Sequence, residues 1–283
     1  MIDETVEEIK EMQTHSSSTV AVKAARALED LLDREHETVE EYVRALERNS
    51  NVLRRANPSH ASLATTQRAI VRMVESADAE SVAAAKERTQ EAIDDVVEQV
   101  VTAKRRAADN AVSLFEDGMT FMTHDYSSTV LEAVEQAVAD GCYLEAYVLE
   151  ARPRYLGRKT ARVLGEMDQV DVHLAIDSAA GHFLPECDRV FTGMDCIVDE
   201  TLYNRVGTYP LVATADHADV PVTTVGSSAK IVDEGFRFEN DFRSVSEVIR
   251  EPAEGFAVEN PAYDATPTDL LDVVVTDEGT WEN

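Results

Sequence analysis

The fold is legible in GCYLEAYVLEARPRYLGRKTARVLGEMDQVDVHLAID, residues 141–177. The segments from Tyr143 to Leu149 and from Asp171 to Ile176 have the length and apolar content of buried strands, and GRKTARVLGEMD between them is an amphipathic helical stretch. Strand, helix and strand in succession make a βαβ unit, with both strands parallel in one sheet. The alternation extends outward on both sides. Met119 to Met122, Arg189 to Thr192, Val222 to Val225 and Asp272 to Val275 read as further strands, and SSTVLEAVEQAVADG as a helix closed by Gly141. Apolar strands of this kind imply an α/β fold with a parallel sheet covered on both faces. In such sheets ligands bind beyond the carboxyl ends of the strands.

Upstream of residue 118 the pattern is different. All eleven glycines lie at or after it, as do seven of the eight prolines, and only Tyr42 and Phe115 of the seventeen aromatics precede it. A segment with so few turn-formers, rich in Ala, Glu, Arg and Val, should be nearly all helix. Ile93, Val96, Val97, Val100, Val101 and Ala108 recur at three- and four-residue spacing, and Asn57-Pro58-Ser59 is the clearest break, with Ser59 placed to cap the next helix. Four or five helices are expected over residues 2–115. The chain thus divides into an all-helical domain, residues 1–117, and a parallel-sheet domain, residues 118–283.

The 283 residues carry 55 acidic and 26 basic side chains, a formal charge of −29. Phosphate-backbone affinity comes from clustered Lys and Arg, so a nucleic-acid-binding surface is excluded as the default. Six of the basic residues are Lys and twenty are Arg. That balance, at ordinary hydrophobic content, is expected of a surface adapted to strong salt, where the Debye length falls to about 3 Å at 1 M and self-repulsion is short-ranged. No stretch is apolar enough to span a bilayer, and MIDETVEEIKEM lacks the basic and apolar regions of a secretion signal. A cytoplasmic protein is expected. Cys142, Cys187 and Cys196 have no CxxC spacing and read as reduced thiols, with no metal site and no cofactor. The absence of HExxH, of GxxxxGK[ST] and of a well-placed GxGxxG removes metalloprotease, P-loop and dinucleotide readings.

The strand ends carry the chemistry. They read Thr123-His124-Asp125, Glu150-Ala151-Arg152-Pro153-Arg154, Asp177-Ser178, Gly193-Met194-Asp195 and Gly226-Ser227-Ser228-Ala229-Lys230. Arg152, Arg154, Arg158 and Lys230 would converge on one rim of a chain otherwise poor in cations, which suits an anion such as phosphate. Arg offers a planar fork, Gly157 allows close backbone approach, and GSSAK presents amides and two hydroxyls beside a point charge. Asp195 is a carboxylate in a position common for catalysis, with capping of the next turn as its structural alternative. Cys196 reads as a small buried residue.

EARPRYLGRKTA at 150–161, TGMD at 192–195, NRVGT at 204–208 and NPAYDATPTDLLDVVVTDEG at 260–279, in this order, resemble the family of the initiation factor 2B alpha, beta and delta subunits. Its enzymatic relatives are ribose-1,5-bisphosphate isomerase and methylthioribose-1-phosphate isomerase. The resemblance implies a helical N-terminal domain followed by a Rossmann-like domain that dimerises. It makes Asp195 the match of the isomerases' catalytic acid/base, and Asn204, Arg205 and Lys230 the match of residues holding the phosphosugar. Ser127, Ser128 and Thr129 match a phosphate-cradling loop. Arg152, Gly157 and Arg158 complete the candidate ligand-binding set.

Three departures bear on activity. The isomerases have a catalytic Cys where this chain has Asp125. Their Arg-Gly-Ala turn corresponds to Thr14-His15-Ser16-Ser17-Ser18, and their helical-domain Arg-Pro to Asn57-Pro58. On these grounds the expectation is a non-catalytic protein of the regulatory-subunit type, with a retained sugar-phosphate or nucleoside monophosphate pocket, acting as a homodimer or larger homo-oligomer and through protein contacts. The alternative is an aldose–ketose isomerase that pairs Asp125 with Asp195; a structural oligomer with an idle pocket is the third reading. Asn204 and Arg205 are expected in a loop and Lys230 on the rim, where its removal would leave stability nearly untouched.

Overall fold

A computed structural model describes residues 2–11, 16–232, 236, 238–251 and 254–282. By contact density the chain falls into two units, Met1–Ala103 and Lys104–Asn283. The first contains α1 (Ile2–Lys10), α2 (Ser17–Ala27), a 3-10 turn at Leu28–Leu31, α3 (Val39–Ala56), α4 (Ala61–Glu75) and most of α5 (Val82–Val112). Five α-helices are thus present among the described residues up to Val112. Their apolar stripes meet in a core around Leu28, Leu31, Tyr42, Leu46, Leu53, Leu63, Ile70 and Ile93. The Tyr42 hydroxyl, fully enclosed, donates to Thr89 Oγ1 at 2.8 Å, which satisfies the one polar atom of an otherwise apolar anchor. Helix starts are capped locally: Thr38 Oγ1 accepts from the Glu41 amide, and Glu41 reaches back to the Glu37 amide. The break at Pro58 occurs as expected, but the cap of α4 is His60, whose Nδ1 accepts from the Leu63 amide at 3.1 Å, and Ser59 lies just before it. The cap moved by one residue because an imidazole nitrogen can do what a hydroxyl does at this position.

Helix α5 crosses the division between the units. Ala85, Thr89, Ala92, Ile93 and Val96 are buried in the first, while Ala107, Ala108 and Ala111 are buried in the second. Composition changes only after this helix has ended at Val112, near residue 117, so the compositional boundary lies beyond the one set by contacts. Val101 is half-exposed, although its spacing placed it with the apolar stripe.

The second unit contains β1 (Thr120–His124), α6 (Ser128–Ala139), β2 (Leu144–Leu149), α7 (Gly157–Leu164), β3 (Val170–Ala175), α8 (Ala180–Phe183), β4 (Arg189–Gly193), β5 (Cys196–Val198), β6 (Thr201–Arg205), α9 (Thr208–His217), β7 (Val222–Val225), β8 (Tyr263–Pro267), β9 (Val273–Thr276) and β10 (Gly279–Glu282). The large sheet has the order β10-β9-β7-β4-β1-β2-β3, parallel throughout except for the antiparallel edge strand β10. All six strands expected from the sequence are in it. Period-two alternation sends Phe121, Phe191, Val148 and Val275 to one face, against α6, and Met122, Val190, Leu149 and Val274 to the other, against α9. At edge strand β3 the cover is incomplete, and Leu174 is exposed.

A second, antiparallel sheet, β5-β6-β8, was not anticipated. Its strands are three to five residues long and β8 is remote in sequence, so no local period announces it. Arg205 and Asn204 belong to β6, which corrects their expected place in a loop. The sheet also places Asp264 on the first turn of α9: its carboxylate accepts from the Gly207 and Tyr209 amides at 2.7 and 3.1 Å, supplying a cap that the helix's own N-terminal residue, a glycine, does not. Asp264→Ala should lower stability by about 1–2 kcal/mol, as for loss of an N-cap, read as the shift of the chemical unfolding midpoint.

Candidate active site

The chain leaves β1 for β2 and β3 on one side and returns to β4, β7 and β9 on the other. The carboxyl ends of β1 and β4 therefore flank the topological switch point, where an open α/β sheet forms a crevice. Ser127 caps α6 there, its Oγ accepting from the Val130 amide at 3.3 Å. A Cβ at position 193 would come within 2.7 Å of that oxygen, so the glycine ending β4 is what lets Ser127, at the head of α6, lie against it.

Asp125, one residue past β1, has φ +64°, in the left-handed region that Asp tolerates better than most side chains. Its carbonyl accepts from the Thr160 hydroxyl at 2.6 Å, and its carboxylate Oδ2 lies 3.5 Å from Arg205 Nε. Arg205, at the end of β6, places its guanidinium 4.9 Å from the Tyr263 ring centre. Burial opposes its charge, but Tyr263, Asp125 and Asp195 outweigh burial and raise its pKa above the ordinary value. Asp195 is only partly covered by its neighbours, yet its carboxyl is desolvated enough to push its pKa up; Arg205 and Lys230 oppose that shift and Asp125 reinforces it. Burial likewise pushes the Lys230 ammonium down, with Asp195 partly offsetting. Both are driven toward their neutral forms, as expected for an acid and an amine withdrawn from water together. Asp125, Arg205, Asp195 and Lys230 thus form one continuous electrostatic group.

Lys230 is not on the rim. It is 6% exposed, and its Nζ donates to the Met194 carbonyl at 2.6 Å, because the 3-10 turn Ser228–Lys230 folds it inward beneath β4. The expectation that its loss would be structurally harmless is therefore withdrawn. The hydroxyls of the GSSAK loop are also engaged: Ser228 Oγ with Asp277 at 3.1 Å, Ser227 Oγ with the Ala229 amide at 3.3 Å. Arg158 is exposed, pairs with Glu150 at 2.8 Å and lies 3.8 Å above the Tyr155 ring. Arg152 is exposed and lines the cleft beside Asp125. At Gly157 a Cβ would overlap the Leu149 carbonyl, so the close approach it permits is that of α7 to the end of β2. Asn204 is buried and donates to Thr208 Oγ1 at 3.1 Å. Cys196 is buried, with its thiol pushed up to about 12 chiefly by burial, which removes it as a nucleophile at neutral pH.

Of the departing positions, Thr14 and His15 lie outside the described residues, Ser16 caps α2 by accepting from the Thr19 amide, and Asn57 is buried at the end of α3. Asp177, noted at a strand end but given no role from the sequence, accepts from the Ala151 and Arg152 amides, each at 2.7 Å, and so fixes the loop carrying Arg152. Sequence reading passed over Arg243 and Glu247, which wall the cleft with Asn260. Among the described residues no group of three His, Cys, Asp or Glu side chains is gathered to hold a metal.

A family model, the Initiation factor 2 subunit family, matches residues 13–283. A ribose 1,5-bisphosphate isomerase of Haloterrigena turkmenica is 31% identical, over 97% of this chain and 88% of its own length. One of Methanocaldococcus jannaschii is 28% identical over 99% and 91%. The structure of the Pyrococcus horikoshii translation initiation factor eIF-2B superposes with a TM-score of 0.85 at 23% identity, covering 99% of this chain and 96% of that one. The expectation of a non-catalytic regulatory subunit is corrected by these nearly full-length relatives named as isomerases, which favour the alternative.

Proposed function

The chain belongs to the initiation factor 2 subunit family, and from that premise we propose that it is an aldose–ketose isomerase acting on a phosphorylated ribose, of the ribose 1,5-bisphosphate type. The observation that carries this reading is the pair of carboxylates, Asp125 and Asp195, facing one guanidinium, Arg205, at the switch point of the sheet. The conversion requires the C1–O4 ring bond to break with a proton delivered to O4, the O2 proton to leave as C2 becomes a carbonyl, and the hydrogen on C2 to end on C1. Asp195, whose raised pKa favours the protonated form, gives the proton to O4 and takes the one from O2. Asp125, ion-paired to Arg205, stands where the isomerases have their Cys by resemblance and carries the hydrogen from C2 to C1. Arg205 steadies the negative charge that develops between them.

In this reading Ser127, Ser128 and Thr129, with Lys230 and Asn204, hold one phosphate, and Arg152, Gly157 and Arg158 shape the adjoining loop. Self-association through residues 118–283 and a salt-dependent, cytoplasmic protein belong to the same proposal; light scattering in molar KCl, and unfolding midpoints against KCl, check the first two. The deciding experiment is incubation of the purified protein in high salt with ribose 1,5-bisphosphate and with methylthioribose 1-phosphate. Ketose product from the bisphosphate supports the reading, and its absence from both ends it.

A further inference from the structure

We propose that His124 is a positioning residue for the site: while neutral, its buried ring leaves Asp177 on the amides that shape the Arg152 loop and Asp125 beside Arg205, and once protonated it draws Asp177 off that loop. The proposal rests on the isomerase reading only for the turnover that the loop governs. His124 ends β1, and period two turns its ring to the face of Met122, toward α9. The side chain is 1% exposed, and among the described residues neither ring nitrogen has a hydrogen-bond partner. A polar ring enclosed without partners is a cost that an apolar ring does not carry, so its presence calls for a physical reason. Its fit depends on the turn before α9, where a Cβ at Gly207 would come within 2.6 Å of Nε2.

The same Nε2 lies 3.9 Å from Asp177 Oδ1. That oxygen is the one that accepts from the Ala151 amide, while Oδ2 accepts from the Arg152 amide. Ala151 has φ +57°, a left-handed conformation that a residue with a Cβ keeps only where its surroundings impose it. The carboxylate of Asp177 supplies that constraint, so whatever competes for Oδ1 loosens the loop. Burial disfavours a charge on the ring, Arg205 acts in the same sense, and Asp125 and Asp177 oppose them without prevailing. The first turn of α9, beside the ring, adds a positive potential of its own. The charged groups acting on His124 thus come from the end of β1, the turn after β3 and β6, and Asp264 of β8 caps the α9 turn against which it packs. An imidazolium would set a charged N–H beside Oδ1, and a charge-assisted hydrogen bond is stronger than one from a neutral amide. Asp177 then turns from Ala151 to the ring, and the Arg152 loop is released.

The test is amide hydrogen exchange at Ala151 and Arg152, followed by NMR in molar KCl between about pH 7 and pH 5, a range that spans the ordinary imidazole value of about 6.5 and stops short of the ordinary carboxylate value of about 3.9. Each rate is divided by that of an unstructured chain at the same pH. In the native protein the protection of both amides should fall at least about tenfold on acidification, in line with loss of a hydrogen bond to a charged group. His124→Phe keeps a ring that takes no proton and should hold the protection across the range; His124→Gln, also uncharged, serves if the Phe variant fails to fold. Asp264 is pushed up to about 6, chiefly by burial, and so titrates in the same range. Asp264→Asn should therefore leave the fall at Ala151 and Arg152 in place. No fall in the native protein, an equal fall in the uncharged His124 variant, or a fall that vanishes with Asp264→Asn overturns the role. Turnover is read separately: loss of the native rate toward pH 5 should be removed by the same His124 variant, and a loss that persists there overturns the positioning role. A native protein without turnover ends the isomerase reading, while amide exchange still decides what His124 does.

Discussion

Asp195→Asn should lower the turnover of ribose 1,5-bisphosphate by about 10²–10⁴-fold, the usual contribution of a positioned general acid–base group. Asn keeps the shape and hydrogen-bonding ability of the carboxyl but cannot exchange a proton. The loss should not come from unfolding. A carboxyl whose pKa is raised in the folded state contributes its stability fully below the unfolded pKa of about 3.9 and loses it as pH climbs through the folded value. At neutral pH Asp195 is therefore a net cost to folding, and the Asn variant should be at least as stable as the native protein. Native turnover should decline on the alkaline side as Asp195 gives up its proton, and the residual rate of the variant should lack that limb. Single-turnover rates and unfolding midpoints measured across pH check both halves. An Asn variant that is inactive because it is destabilised would remove the catalytic assignment.

Arg205→Met should destabilise the protein by about 3–5 kcal/mol, because it removes one partner of a buried ion pair and leaves Asp125, and in part Asp195, uncompensated. The guanidinium is only 11% exposed, so water does little to relieve the carboxylates left behind. Removing both partners, as Arg205→Met with Asp125→Leu, should recover most of the stability, for the desolvation cost then disappears with the charges. Arg205→Lys should hold much of the stability but not the planar contact over Tyr263. Denaturant unfolding of the single and double variants measures the coupling. An additive cycle, with no rescue in the double variant, would show that Arg205 does not act through Asp125.

A good part of the fold was legible because its signals are local. Six strands of the large sheet follow from short apolar runs, and the helices before residue 118 from three- and four-residue spacing with almost no Gly or Pro. A parallel sheet brings the residues after each strand to one edge, so Asp195 could be selected by position, while Asp125, at the end of another strand, was singled out by the resemblance. The departures at Asp125 and at 14–18, by contrast, suggested lost chemistry, and the comparisons with full-length isomerases turned that judgement around.

Tertiary structure decided what each polar group meets. Lys230 looked like a rim cation and is buried against Met194, 36 residues away. The hydroxyl of Ser228 looked available and is taken by Asp277. Arg205 was expected in a loop, and the small antiparallel sheet makes it the cation shared by Asp125 and Asp195. Arg243 and Glu247 carried no motif and became the wall of a cleft. Periodicity reports the solvent on either side of a segment and so reads out helix, strand and order in the chain. The protonation and partners of a buried charge depend on dielectric and on groups brought from distant segments, which only the packed chain brings together.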